Sequence, residues 1–109
     1  MKVYKKLYVG ENAKKDKKKI LRGLEKKMLQ PDVYAITLPV GNSDLLEIHP
    51  AFTLKYRIFK DARAKELYLV GIAKGRQEAF EVVATIVEDT IKAGKAYDIP
   101  ATLQFGRDR

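Results

Sequence analysis

The chain has 109 residues, 46% of them hydrophobic, a formal charge of +8 and no cysteine. A chain of this length suits one compact domain with a modest core, and without cysteine it has neither disulfides nor thiolate metal ligands. No apolar run approaches the roughly 20 residues of a membrane span, and the apolar stretch near the N-terminus is too short for a signal peptide, so the expectation is a cytoplasmic protein without a membrane partner.

The charge is unevenly placed. Between Lys14 and Lys27, eight basic residues accompany only Asp16 and Glu25, a net of +6, which leaves +2 for the rest of the chain. One segment therefore generates most of the field.

Val3 to Val9 puts Val3, Leu7 and Val9 on one face and Tyr4 and Tyr8 on the other, with Lys5 interrupting the first. That alternation predicts a half-buried or edge strand. Residues 13–29 carry Ile20, Leu21, Leu24 and Met28 at helical spacing among lysines, with Asn12 as the expected N-cap and Pro31 forbidding continuation. Val33 to Leu38 is apolar on both faces and predicts a strand inside the sheet, ending at Pro39 and the turn Gly41-Asn42-Ser43.

Two periods compete over residues 44–60. Leu45, Ile48, Phe52, Tyr56 and Phe59 share a helical face behind a start at Asp44 and Glu47, whereas Phe52, Leu54, Tyr56 and Ile58 alternate as in a strand. The expectation is a helix broken near Pro50; the alternative is a strand forming a hairpin with the next one.

Leu67 to Ala73 is apolar on both faces and predicts a central strand. Residues 76–93 follow as the main helix, with Phe80, Val83, Val87 and Ile91 as its principal stripe, widened by Ala79, Val82 and Ile86, and with Glu78, Glu81, Glu88 and Asp89 on the wet side. Residues 99–105 read as a short last strand and 106–109 as a frayed tail. These elements predict a single α/β domain over 1–109. Its small mixed or parallel sheet of three or four strands is packed by two long helices, with right-handed crossovers; a ferredoxin-like two-layer sandwich is the alternative.

Two groups of residues carry candidate chemistry. Lys14, Lys15, Lys18, Lys19, Arg22 and Lys26 would attract a phosphate backbone by displacing its counterions, although solvated lysines on a helix face need no ligand. Lysine outnumbers arginine 16 to 6. Arginine is the residue that reads base edges bidentately, so any binding of nucleic acid is expected to follow shape and charge rather than sequence. The turn Lys74-Gly75-Arg76 ends a buried strand and opens a helix, where free N–H groups and two cations suit an anion; a permissive turn glycine explains the same residues without one. It lacks both the Walker spacing and the three-glycine dinucleotide fingerprint.

Tyr4 and Tyr8 could offer a stacking platform for bases or simply pack in a strand. His49, the only histidine, has no serine or carboxylate motif beside it and is expected to be a partly buried, hydrogen-bonded side chain. No catalytic residues, no metal ligands and no cofactor follow from the sequence.

The block VGIAKGRQEAFEVV, with YAITLP before it, resembles small uncharacterised bacterial α/β proteins carrying a similar strand-glycine-helix segment. The resemblance implies a self-contained bacterial cytoplasmic domain and brings no activity, ligand or catalytic residue. The expected function is a non-enzymatic interaction or assembly module whose partner is another protein or itself, through spare apolar surface on the last helix. Nucleic-acid binding and a phosphorylated small ligand are the alternatives.

Overall fold

The most apolar stretch of the chain forms the interior of its sheet. In the computed structural model, which describes residues 2–26, 30–38, 46–53 and 68–92, the strands are β1 (Lys2–Val9), β2 (Val33–Thr37), β3 (Glu47–Pro50) and β4 (Tyr68–Lys74). They lie in the order β1-β4-β2-β3. β1 runs parallel to β4, while β2 is antiparallel to both β4 and β3, so the sheet is mixed. Every residue from Tyr68 to Ala73 is buried, as a strand with neighbours on both edges and layers on both faces requires.

Two helices supply those layers. A 3₁₀ turn, Lys14–Asp16, leads into α1 (Lys17–Glu25), and α2 spans Arg76–Lys92. Strict alternation along β2 sorts the two faces: Val33 and Ala35 pack with Ile20 and Leu24 of α1, while Ile36 packs with Ala79, Val82 and Ile86 of α2. α1 and α2 therefore cover opposite faces of the sheet. Each fully buried Ile or Val on α2 contributes about 1.5–3 kcal/mol relative to exposure, so the helix is held by its packing more than by its propensity.

A bulge reconciles the continuous apolar run with two separate cores. Ile36 pairs with Gly71 and Thr37 with Leu69, which leaves Val70 as an additional residue in β4. Leu69 and Ile72 consequently share the α1 face although they are three residues apart. Gly71 lets α2 come close, since a Cβ there would lie 3.0 Å from Val82 Cγ1.

The small mixed sheet with helices matches the expected fold class, but several details differ. β1 and β2 run in opposite directions with β4 between them, so α1 is no parallel crossover, and helices on both faces rule out the two-layer alternative. Residues 47–50 are neither half of a kinked helix nor an arm of a hairpin with β4. They pair with the preceding strand, from Thr37↔Glu47 to Tyr34↔Pro50. Ile48 and Pro50 face the α2 side of the sheet while His49 is buried on the other, so Ile48 belongs to a strand rather than to the expected helical face. Among the described residues of this stretch, 51–53 are helical.

α1 is shorter than the apolar spacing suggested, and Asn12 does not cap it. Instead Ala13 and Lys14 close a tight turn on the Gly10 carbonyl, which places Ala13 in the core. On α2 the buried stripe is Ala79, Val82, Ile86 and Thr90, whereas Phe80 and Ile91 of the expected principal stripe are exposed. A sheet lying under one side of a helix takes about a 100° sector, and hydrophobicity alone did not say which of two overlapping sectors that would be. The expected strand and tail at 99–109 lie outside the described residues.

Candidate nucleic-acid interface at the carboxyl ends of the parallel strands

β1 and β4 are adjacent and parallel, and the chain leaves them toward opposite faces, α1 on one and α2 on the other. This is a topological switch point, the position in open α/β sheets where a crevice forms outside the carboxyl ends of the strands. In this protein a side chain of the chain itself closes the crevice.

Glu78, in the first turn of α2, is only 6% exposed. Its Oε1 accepts the backbone N–H of Asn12 at 2.5 Å, and its Oε2 accepts that of Lys74 at 2.7 Å. The carboxylate thus joins the turn after β1 to the turn after β4. Gly10 makes room for it, since a Cβ at that position would fall on the Glu78 carboxyl group. Gly75 has φ 89°, a conformation suited to glycine, and its N–H donates to the Asp32 carbonyl at 2.7 Å.

The expected anion-binding turn already has its anions. The Lys74 amide holds Glu78, and its ammonium donates to Asp16 Oδ2 at 2.7 Å. That contact keeps the Asp16 carboxyl below the usual carboxylate range, through the hydrogen bond first and the charge of Lys74 second, and it raises Lys74 reciprocally. Of the turn's two cations, Arg76 has no ion pair among the described residues; its guanidinium lies 5.7 Å from the centre of the Phe80 ring.

On the α1 side of the switch point, Lys14, Lys15, Lys17, Lys18, Lys19 and Arg22 line an open concavity of about 510 Å³ together with Asp16. The hollow runs across the junction of the 3₁₀ turn, which supplies Lys14, Lys15 and Asp16, with the first turns of α1, which supply Lys17, Lys18, Lys19 and Arg22. Lys14 pairs with Glu11 at 2.9 Å, and Asp16 is engaged by Lys74. Lys15, Lys17, Lys18, Lys19 and Arg22 have no ion pair among the described residues. Four of the six expected basic residues, Lys15, Lys18, Lys19 and Arg22, thus meet at one unneutralised surface, with Lys14 at its rim; Lys26 is exposed beyond the end of α1. Lys17, which the sequence reading left out, belongs to the set.

On the α2 side, Tyr34, Ile48, Pro50, Arg76 and Phe80 line a second hollow of about 340 Å³. The tyrosines expected as a stacking platform are placed elsewhere. Tyr4 is buried against Tyr68, with ring centres 6.4 Å apart, and Tyr8 donates to Asp89 Oδ2 at 2.6 Å beneath α2. Burial and that carboxylate push the Tyr8 phenol well above its ordinary range. His49 is buried as expected, its Nε2 3.2 Å from Thr37 Oγ1 and 3.6 Å from a Glu47 carboxylate oxygen.

The residue that the sequence reading most misjudged is Glu78, assigned to the wet side of the helix. The signal for it was present: a Glu three residues after a turn glycine occupies the position from which a carboxylate reaches back to the chain before the helix. Among the described residues no group of three or more His, Cys, Asp or Glu side chains converges, and no helix is long and apolar enough to cross a membrane. No protein-family description matches the chain, and no curated protein or solved structure is significantly similar to it.

Proposed function

We propose that the protein binds the phosphate backbone of nucleic acid at the start of α1. The observation that carries this reading is the meeting of Lys14, Lys15, Lys17, Lys18, Lys19 and Arg22 at one concavity. Asp16, the single acid lining it, is already bonded to Lys74.

The arrangement works against the stability of the helix that bears it. The N-terminus of a helix carries partial positive charge, and a cation in the first turn costs about 0.3–1 kcal/mol at an exposed site. Lys17, Lys18 and Lys19 occupy that turn, which holds no acid of its own; Asp16 at the N-cap is bonded to Lys74. Lys14 with Lys18, Lys15 with Lys19, and Lys18 with Arg22 repeat at the four-residue spacing where like charges repel. A bound polyanion adds attractions to the same lysines and to the helix N-terminus that offset these repulsions. Because the cations are almost all lysines, the recognition is of charge and backbone rather than base sequence.

The reading is tested by fluorescence anisotropy of a labelled mixed-sequence oligonucleotide across salt concentrations. Log affinity should fall linearly with log salt, with a slope of about −0.7 per neutralised phosphate on a single strand or about −0.9 on a duplex. Lys15→Glu, Lys18→Glu and Lys19→Glu combined should abolish binding. A wild type that binds neither form at low salt ends the reading.

Self-association is a second reading, favoured by the exposure of Phe80 and Ile91 on one side of α2. A concentration-independent monomer in analytical ultracentrifugation would remove it. The expected bacterial cytoplasmic setting belongs to the same proposals.

A further inference from the structure

We infer that the nucleic acid is single-stranded and that one of its bases stacks in the hollow formed by Tyr34, Ile48, Pro50, Arg76 and Phe80. The inference rests on the backbone reading of α1 and adds the part of the ligand that the lysines do not touch.

The hollow has the chemistry of a base site. Its volume of about 340 Å³ lies in the range of small-ligand pockets, and two aromatic rings, a proline and an isoleucine line it. Phe80 is a large apolar side chain left 49% exposed, with the Arg76 guanidinium 5.7 Å from its ring centre. A ring and a planar cation side by side offer a base one face for stacking and a charge for the adjoining phosphate. A wholly apolar ligand would leave Arg76 without a partner, and a simple phosphate would leave Phe80 and Tyr34 without one.

The topology places this hollow and the lysine concavity at the same end of the sheet. Gly10 follows β1 and Lys74 ends β4; Tyr34 stands near the start of β2, and Pro50 ends β3. Tyr34 pairs across to Ala73 on one side and to Pro50 on the other. The two sites lie on opposite faces of the sheet, and Asp16, which lines the lysine concavity, bonds at 2.7 Å to Lys74, two residues before Arg76 of the hollow. A strand whose phosphates lie along α1 crosses that contact and reaches Arg76. The bases of a duplex are paired and stacked inside it and cannot enter the hollow, so the second site distinguishes the two forms.

The chain contains no tryptophan, so Phe80→Trp introduces a single indole into the hollow, which is excited selectively over the six tyrosines at the red edge of their absorption. Titration with a mixed-sequence single strand should quench its emission, and the matching duplex should leave it unchanged. Phe80→Ala should weaken single-strand binding about tenfold or more, with the salt slope and duplex affinity unaltered. Thermal melts of both variants confirm that the exposed position tolerates the change. Undiminished single-strand affinity in Phe80→Ala, or equal quenching by the duplex, overturns the inference. If binding is insensitive to Phe80→Ala but lost in the triple lysine variant, the base site fails and the backbone reading stands. If the wild type binds neither form, both fail.

Discussion

The first turns of the two helices use charge in opposite ways. At the start of α2 the exposed Arg76 is followed by an acid, Glu78, which is buried and holds two backbone N–H groups, one from the turn after β1 and one from the end of β4. At the start of α1 the charged side chains are lysines, exposed, mutually repelling and aligned against the helix dipole. Both turns leave the same end of the same sheet. The difference separates the charge that the fold itself satisfies from those it leaves exposed to solvent.

The contrast breaks most severely if Glu78 proves dispensable. Glu78→Ala removes the acceptor from the Asn12 and Lys74 N–H groups, and hydrogen bonds to a charged group contribute about 1.5–3 kcal/mol each. Urea denaturation should therefore show a loss of about 2–4 kcal/mol, with Glu78→Gln falling between the variant and wild type. A loss below that of an ordinary surface substitution would mean that the crevice is not held shut by this carboxylate.

Gly10→Ala probes the same joint from the other side. Its Cβ would fall on the Glu78 carboxyl group, so the side chain or the turn must move, at a cost of about 1–3 kcal/mol. Combining it with Glu78→Ala should cost less than the sum of the two, because the small side chain removes the collision. Strict additivity would show that Gly10 is required for another reason.

Farther along α2, Tyr8 and Asp89 anchor the helix to β1. Tyr8→Phe should cost about 1 kcal/mol at neutral pH. Since the folded phenol titrates above its ordinary value of 10.0, the native state binds its proton more tightly than the unfolded chain does. Its contribution is fully present below pH 10 and is lost as pH rises through the folded value. Wild type and Tyr8→Phe should therefore converge in stability above pH 10 in pH-dependent melts, and a constant gap would contradict the assignment.

The smallest effect has the opposite sign. Lys17→Glu places an acid in the first turn of α1 and should raise stability by a few tenths of a kcal/mol to about 1 kcal/mol at low salt, fading as salt is added. In the nucleic-acid titration the same variant should lose affinity. A variant that gained stability and kept its affinity would sever the link between repulsion in α1 and the ligand.

The strands whose two faces are both apolar were legible in the sequence, because a continuous buried run has only one place in a small sheet. β4 and β2 are interior, as Leu67 to Ala73 and Val33 to Leu38 indicated. Segments whose apolar residues fit two periods were not legible. Glu47–Pro50 became an edge strand because its pairing with β2 buries His49 and satisfies the backbone, a gain that no local period records. The basic residues of the candidate interface were legible as a cluster, while their meeting at a concavity depended on how the turn on the Gly10 carbonyl and the 3₁₀ turn after it set the start of α1, and the aromatic hollow depended on strand order.

Composition and periodicity determined the class of the fold, the central strands, the two helices and the place where positive charge accumulates, since each follows from nearest-neighbour chemistry along the chain. Tertiary structure alone decided that β1 lies beside β4, that α1 and α2 take opposite faces, and that Glu78 turns inward to close the crevice between them. The first and last of those outcomes depend on contacts between residues 60 or more positions apart, such as Asn12 with Glu78 at a separation of 66, and their energies appear only once the sheet has assembled.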